Sequence, residues 1–325
     1  MISRRSFVVE VGAVGILAAS GIHAQPRSRP QLGVFHPASV EDSAIYRILV
    51  PKLAELGYVD GKTIRLTLRS GGGRPDAVVS MVDDLVREKA DVLLVVGPAA
   101  VGAAVAATRS VPIIAIDLES DPVGRGWMQS LSRPGGNLTG FFLDLTGTGA
   151  KWLQLLHEVV PRARQVSLVW DAAAGQPQLA ATRAAADSIG IRASTITIEN
   201  WEEFDNALGA AVRNRTDALV VLSSPTAYQF SSRLAQFVLR YRLPAISPFR
   251  PFATAGGLMS YGPDLDVYFG RVASMVDKVL RGAKPADLAV EQPVKYELVI
   301  NQRTGAVLGL TLPRSLLLRA DEVIR

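Results

Sequence analysis

Asp91-Val-Leu-Leu-Val-Val-Gly97-Pro98 and Asp217-Ala-Leu-Val-Val-Leu-Ser223-Ser224-Pro225 carry one pattern twice. In each, an aspartate opens five apolar residues that close on small residues and a proline. An apolar run without alternation suits a strand buried on both faces, the environment of a parallel sheet covered by helices. The small residues and proline then end the strand and open a helix. A helical stretch follows each run, and after it come Val111-Pro112-Ile-Ile-Ala-Ile and Leu243-Pro244-Ala-Ile-Ser. The same strand, helix and strand thus stand in each half of the chain, which predicts two similar lobes.

Working outward, the same rhythm fills the first half. Gln31–Phe35, Thr63–Leu68 and the run after Asp91 read as strands, with helical patterns over Val40–Leu56 and Asp76–Glu88 between them. The fold class is α/β, with doubly wound parallel sheets. Arg133-Pro-Gly-Gly-Asn137 is a strong turn signal, followed by the strand Leu138–Phe142 and a new helix over Gly149–Val159. The first passage between lobes is expected near Phe142. The expected division is an export leader over 1–24, a first lobe of 30–142 plus 259–292, and a second of 143–258 plus 293–325.

The leader reading rests on Arg4-Arg5, an apolar run from Phe7 to Ile22 and Ala24 at a position that suits cleavage. The run is shorter than the roughly 20 residues that span a bilayer. Ser3-Arg4-Arg5-Ser6-Phe7 fits the twin-arginine pattern, and a general secretory signal also starts with basic residues. A periplasmic location follows as the expectation. The chain of 325 residues has no cysteine, so disulfides, thiolate nucleophiles and cysteine-held metals are excluded. Loss of two arginines and one glutamate with the leader lowers the net charge from +5 to +4. No Lys/Arg stripe interleaved with aromatics is present, and no nucleic-acid partner is expected.

In parallel α/β sheets, ligands bind beyond the carboxyl ends of the strands. Two facing lobes would line a cleft with His36–Ser39, Gly97–Ala100, Asp117–Val123, Asp171–Gln176, Ser223–Tyr228 and Ser247–Phe252.

Several segments also resemble a known family, the ABC-transporter substrate-binding proteins that include tryptophan and tyrosine binders. They are Leu56-GYVDGKTI, Ala90-DVLLVVG, Asp121-Pro-Val, Ser132-RPGGNLTG, Ala255-GGLMSYG, Leu280-RGAKPADL, Gln292-PVKYELVIN and Ala306-VLGLTLP, and they run nearly the whole chain after the leader. The resemblance implies a type I periplasmic binding fold. Its two lobes would be joined by a three-stranded hinge and would close on a small-molecule ligand such as an amino acid or a related organic acid. It further implies an ABC permease and ATPase as membrane partners and a protein that works as a monomer without cofactors. One departure stands out. Similar sequences often place Ser or Thr beside the glycine of the third strand's loop, and here that loop is Gly97-Pro98-Ala99.

Gly257-Leu-Met-Ser260-Tyr-Gly262 is one residue away from the Gly-x-Ser-x-Gly elbow of serine hydrolases. That triad runs Ser, acid, His, yet His23, His36 and His157 all precede Ser260. No catalytic residue is therefore assigned, and the glycines are read as loosening the backbone before a strand that returns to the first lobe. Two histidines outside the leader and no His-Glu-x-x-His pattern leave no recognisable metal site. Gly71-Gly-Gly-Arg74 lacks the lysine and the spacing of a phosphate loop and reads as a flexible connection.

Within the binding reading, Asp117 or Asp121 would accept from a ligand ammonium, with a capping turn before Pro122 as the alternative for Asp121. Ser223 and Ser224 would donate to a carboxylate or cap the next helix. Arg250 would pair with an acidic ligand or lie on the surface. Phe142, Tyr228 and Phe249 would form apolar walls or ordinary core. His36, Ser39, Gly97, Pro98, Ala99 and Asp171 complete the expected lining. Alternative readings are a sensor subunit that signals to a membrane receptor and, further off, a serine-dependent hydrolase.

Overall fold

The first half of the chain folds as a five-stranded sheet made of β1 (Gln31–His36), β2 (Arg65–Ser70), β3 (Val92–Val96), β4 (Ile113–Ile116) and β5 (Leu138–Phe141). Their order is β2-β1-β3-β4-β5, with all pairs parallel. The computed structural model describes residues 29–39, 43–72, 74–116, 121–143, 145–172, 174, 176–199, 204–213 and 215–325. Strand β3 shows why its run is unbroken. Val92, Leu94 and Val96 face a cluster with Leu32, Ile114 and Ile116, while Leu93 and Val95 face another with Phe35, Ile113 and Ala115. Each such side chain, fully buried, contributes on the order of 1.5–3 kcal/mol.

A single π-helical turn at Ile45–Leu49 runs into α1 (Val50–Glu55) on one face of this sheet, and α2 (Val78–Arg87) and α3 (Pro98–Ala107) cover the other. Gly97 opens α3 at φ +90°, a left-handed conformation that favours glycine, and Pro98 fills the first helical position.

The second sheet holds β6 (Gln165–Asp171), β7 (Arg192–Ile198), β8 (Ala218–Val221), β9 (Ala245–Ser247), β10 (Met259–Pro263), β11 (Tyr296–Asn301) and β12 (Glu322–Ile324). Its order is β12-β11-β10-β9-β8-β6-β7. The span β7-β6-β8-β9-β10 repeats the first lobe's order, so the predicted internal likeness is a likeness of topology. Only β10–β11 is antiparallel. The helices of this half are α4 (Leu145–Val159), α5 (Gln176–Ser188), α6 (Phe204–Arg213), α7 (Pro225–Gln229), α8 (Ser231–Arg240) and α9 (Arg250–Thr254). Next comes α10 (Leu265–Leu280), whose Tyr268, Phe269, Val272, Met275 and Val276 belong to the first lobe's core. α11 (Gln302–Val307) and α12 (Arg314–Arg319) complete the chain.

The second passage between lobes differs from the expectation. The sequence places the return to the first lobe at residue 259, but Met259–Pro263 is hydrogen-bonded to β9 and β11 as the fifth strand of the second lobe, the counterpart of β5. Sheet pairing holds the chain there until Pro263, and α10 is the element that crosses back.

The glycines of this segment also serve differently. Gly256, at φ +110°, follows the end of α9, and a Cβ on Gly257 would stand 2.2 Å from the Phe252 ring. On Gly262 it would stand 2.0 Å from the Pro248 carbonyl oxygen. They permit close packing; they do not loosen the backbone. Ser260, 1 % exposed, lies inside the strand opposite Ser247 and Val299 and not on a strand-to-helix turn.

Three segments join the lobes, at 141–145, 263–265 and 291–296, and they are bonded to one another. The Phe142 N–H donates to the Glu291 carbonyl at 2.9 Å and the Asp264 N–H to that of Lys295 at 3.0 Å. Asp264 caps α10 and pairs with Lys295 Nζ at 2.7 Å, and the Tyr296 hydroxyl donates to the Leu143 carbonyl at 3.2 Å. Burial pushes the Asp264 carboxyl up, but the Lys295 and backbone hydrogen bonds outweigh it and hold the carboxyl below its ordinary value.

Candidate ligand chamber between the lobes

Where the carboxyl ends of both sheets face each other, side chains from the two lobes enclose a chamber with ≈ 470 Å³ of atom-free space, including the part open to solvent. The first lobe contributes His36, Val96 and Ile116 from the ends of β1, β3 and β4, together with Ala44 and Ile45 at the π turn. Such turns recur at functional positions. The second lobe contributes Ser223 and Ser224 between β8 and α7, Pro225 and Tyr228 on α7, and Phe249 after β9. Leu143 and Leu265 stand at the crossings, and Tyr268 and Phe269 come from the start of α10.

The serine loop is held from behind. Gln178 of α5, 3 % exposed, donates from Nε2 to the Ser223 carbonyl at 3.0 Å and accepts the Ser223 N–H on Oε1 at 2.6 Å. Ser224 Oγ accepts the Ala227 N–H at 2.9 Å, so the capping role foreseen for it is realised while its residue still lines the chamber. Tyr228 packs against the cores of both lobes and meets Phe249 edge-on, with ring centroids 5.3 Å apart. Beside it, the Ser39 N–H reaches across to Gln229 Oε1 at 3.2 Å.

His36 is buried, with Nδ1 3.2 Å from both the amide nitrogen and the carbonyl oxygen of Ala38. Burial lowers its pKa to about 4, partly opposed by the Ala38 contact, so the ring is neutral near pH 7. Burial pushes the Tyr228 hydroxyl up, and Arg47 and Asp266 act on it with opposite signs.

The His36 shift fixes the sign of an acid effect. Between an unfolded value of 6.5 and a folded value of about 4, the unfolded chain binds the extra proton, so stability falls as pH drops through this window. In His36→Asn, denaturant midpoints measured from pH 7 to pH 4 should fall less steeply than in the parent protein. Parallel pH profiles would contradict the assignment.

Of the residues foreseen from sequence, His36, Ser223, Ser224, Tyr228 and Phe249 line the chamber, and Ser39 stands at its side. The others that the structure describes do not form the wall. Gly97, Pro98 and Ala99 open α3, and the preceding Val96 is the wall residue. Asp121 is exposed at φ +52° and accepts the Gly124 N–H on Oδ1 at 2.9 Å, the capping turn that was its alternative. Phe142 is fixed by its amide at the crossing, and its neighbour Leu143 lines the space. Asp171 is buried at the end of β6 outside the lining, and Asp117 lies outside the described residues.

Arg250 is exposed and paired with Glu322 of β12 at 2.5 Å, an ion pair that raises its pKa. Exposed pairs contribute about 0–1 kcal/mol, so Arg250→Ala should leave ligand affinity within about twofold of the parent in a calorimetric titration. A tenfold loss would return Arg250 to the site.

Leu143, Leu265, Tyr268, Phe269 and Gln178 lie outside the strand-end loops that the sequence marks as a cleft lining. A signal for two of them was present. Tyr268 and Phe269 begin the apolar face that continues at Val272, Ala273 and Val276, and a helix that enters straight from a crossing must pass the cleft.

Two α/β lobes that share one chamber at their strand ends, joined by three crossing segments, define a protein of the type I periplasmic binding fold. The chain belongs to the ABC transporter substrate binding protein family, whose model matches residues 34–324. It is similar to a tyrosine-binding protein of Clostridioides difficile, with 23% identity over 271 residues that cover 80% of this chain and 75% of the relative. Among solved structures it is similar to an ABC domain from Streptococcus pneumonia in complex with L-Trp, at 24% identity and a TM-score of 0.79, covering 91% of this chain and 100% of that one. A conserved domain protein from Vibrio cholerae has the same TM-score and coverage at 23% identity.

Proposed function

We propose that the protein is a periplasmic solute-binding protein that captures a small organic molecule between its lobes and delivers it to an ABC permease and its ATPase. The observation that carries this reading is the joint wall. His36, Val96 and Ile116 from one lobe and Ser223, Tyr228 and Phe249 from the other face one space, so a bound molecule touches both lobes only when they are together. Ligand contacts of that kind shift the population toward the closed form, which the permease recognises.

Membership of the family supports transport over catalysis, and the buried, in-strand Ser260 supports it further. The aromatic lining and the tyrosine and tryptophan ligands named for two relatives support a ligand with an aromatic or branched apolar body. The basic and apolar leader at 1–24 supports export, by the twin-arginine or the general route, and the protein acts as a monomer.

A thermal-shift screen against amino acids, aromatic acids and amides, nucleosides and sugars tests this. A ligand at 100 times its Kd should add about 2.7 kcal/mol, a rise of several degrees. Stabilisation by one chemical class is the expected result. A flat response, together with ester or amide turnover that requires Ser260, would replace this reading with an enzymatic one.

A further inference from the structure

His36 ends β1, and the turn behind it fixes its ring. The Gly71 N–H donates to the His36 carbonyl at 2.8 Å, and the Ser70 hydroxyl donates to the Ala38 carbonyl at 2.7 Å. A Cβ on Gly71 would stand 2.8 Å from the Pro37 carbonyl oxygen, so the chain after β2 is pressed against the turn. Inside the turn the Ala38 N–H donates to His36 Nδ1 at 3.2 Å. Ala38 is 2 % exposed, and among the described residues Nδ1 is the only acceptor its N–H has.

A neutral imidazole carries one proton, and burial keeps this ring neutral near pH 7. With that proton on Nδ1, two N–H groups would face each other and the buried Ala38 amide would lose its partner. The Ala38 carbonyl, also 3.2 Å from Nδ1, does not require the proton, because it already accepts from Ser70. A ring turned over would set a carbon against the amide and fail in the same way. Nδ1 is therefore the acceptor, and Nε2 carries the hydrogen. Among the described residues, no group accepts from Nε2. His36 is 4 % exposed and stands in the chamber wall, so its second nitrogen is a buried donor that only the contents of the chamber can complete.

Resting on the solute-binding reading, we infer that His36 is a ligand-binding donor whose Nε2–H bonds a carboxylate or carbonyl oxygen of the solute and so sets which end of the solute meets the first lobe. The apolar body of the solute then lies against Val96, Ile116, Tyr228 and Phe249, which share the chamber with His36. A solute of the same shape without such an oxygen leaves the donor unmade and binds more weakly. This role is separate from support of the turn, which uses Nδ1 alone.

Two substitutions separate the nitrogens. Asn can set an oxygen where Nδ1 stands, which keeps the acceptor for Ala38 and removes the donor to the solute. Gln reaches the place of Nε2 and restores an N–H there while giving up the brace. Calorimetric titrations at pH 7 use L-tryptophan and indole-3-acetamide, which carry the oxygen, and tryptamine, which lacks it. In the parent protein the tighter of the first two names the oxygen as carboxylate or amide and should bind at least about tenfold more tightly than tryptamine. His36→Asn should weaken that probe about tenfold, and His36→Gln should stay within about threefold of the parent. Equal binding of tryptamine, an Asn variant that binds like the parent, or a Gln variant that loses as much as Asn overturns the inference. Long-range proton–nitrogen spectra of protein labelled in its histidine rings locate the proton without any ligand, with the His36 signals identified by their absence from His36→Asn. A proton on Nδ1 overturns the inference as well. So does silence of all three probes with the parent, and native mass spectrometry then judges solute binding on its own, since a retained small molecule keeps that reading.

Discussion

Gly262→Ala should lower the melting temperature by roughly 6–10 °C, corresponding to a loss of about 3 kcal/mol or more. The new Cβ would stand 2.0 Å from the Pro248 carbonyl oxygen, 2.8 Å from its carbon and 3.0 Å from its Cα. All three are backbone atoms, so no side-chain rotation relieves the overlap. Either β10 leaves its pairing with β9 and β11, or the turn at Pro248 moves and takes Phe249, a chamber wall, with it. The second route predicts weaker ligand binding in the same variant. Gly270→Ala is the control. It lies inside α10, its added Cβ meets nothing within 4 Å, and it should be neutral or stabilising by about 0.5–1 kcal/mol. Equal melting temperatures for Gly262→Ala and the parent would show that the strand crossing tolerates a side chain.

Tyr228→Ala should weaken binding of the best ligand from the screen by about 2 kcal/mol, or about thirtyfold, as expected for a central aromatic anchor. Its ring touches the cores of both lobes and the edge of Phe249, so truncation removes both chamber wall and lobe-to-lobe contact. Tyr228→Phe separates ring from hydroxyl. If packing dominates, Phe retains most of the affinity; if the hydroxyl holds the ligand, Phe loses nearly as much as Ala. Calorimetry on the three proteins reads this directly. An alanine variant that binds like the parent would place the ligand elsewhere.

Much of this architecture is legible in the chain. The apolar runs at Val92–Val96 and Ala218–Leu222 can be satisfied only by burial on both faces, and repetition of the unit predicts two lobes. The prolines at 98 and 225 open helices, as their fixed φ and missing N–H dictate. Five of the foreseen site residues reach the chamber because the ends of β1, β8 and β9 are fixed once those runs are strands.

Side-chain direction was not legible in the same way. Arg250 and Phe249 are adjacent, yet Phe249 turns into the chamber and Arg250 turns out to Glu322, a partner 72 residues away. Asp121 resolved to a turn because Gly124 offered it a local N–H, which is closer at hand than any ligand.

The sequence alone determined the class of fold, the doubling of the lobe and the end of each sheet at which the chamber lies, because hydrophobic period and turn chemistry act locally. The tertiary structure alone decided three other matters: that Met259–Pro263 pairs within the second sheet, that Tyr268 and Phe269 wall the cleft from a returning helix, and that Gln178 clasps both the N–H and the carbonyl of Ser223. Each depends on contacts between segments distant along the chain, and such contacts are settled by packing and by satisfying buried polar groups, which no local pattern records.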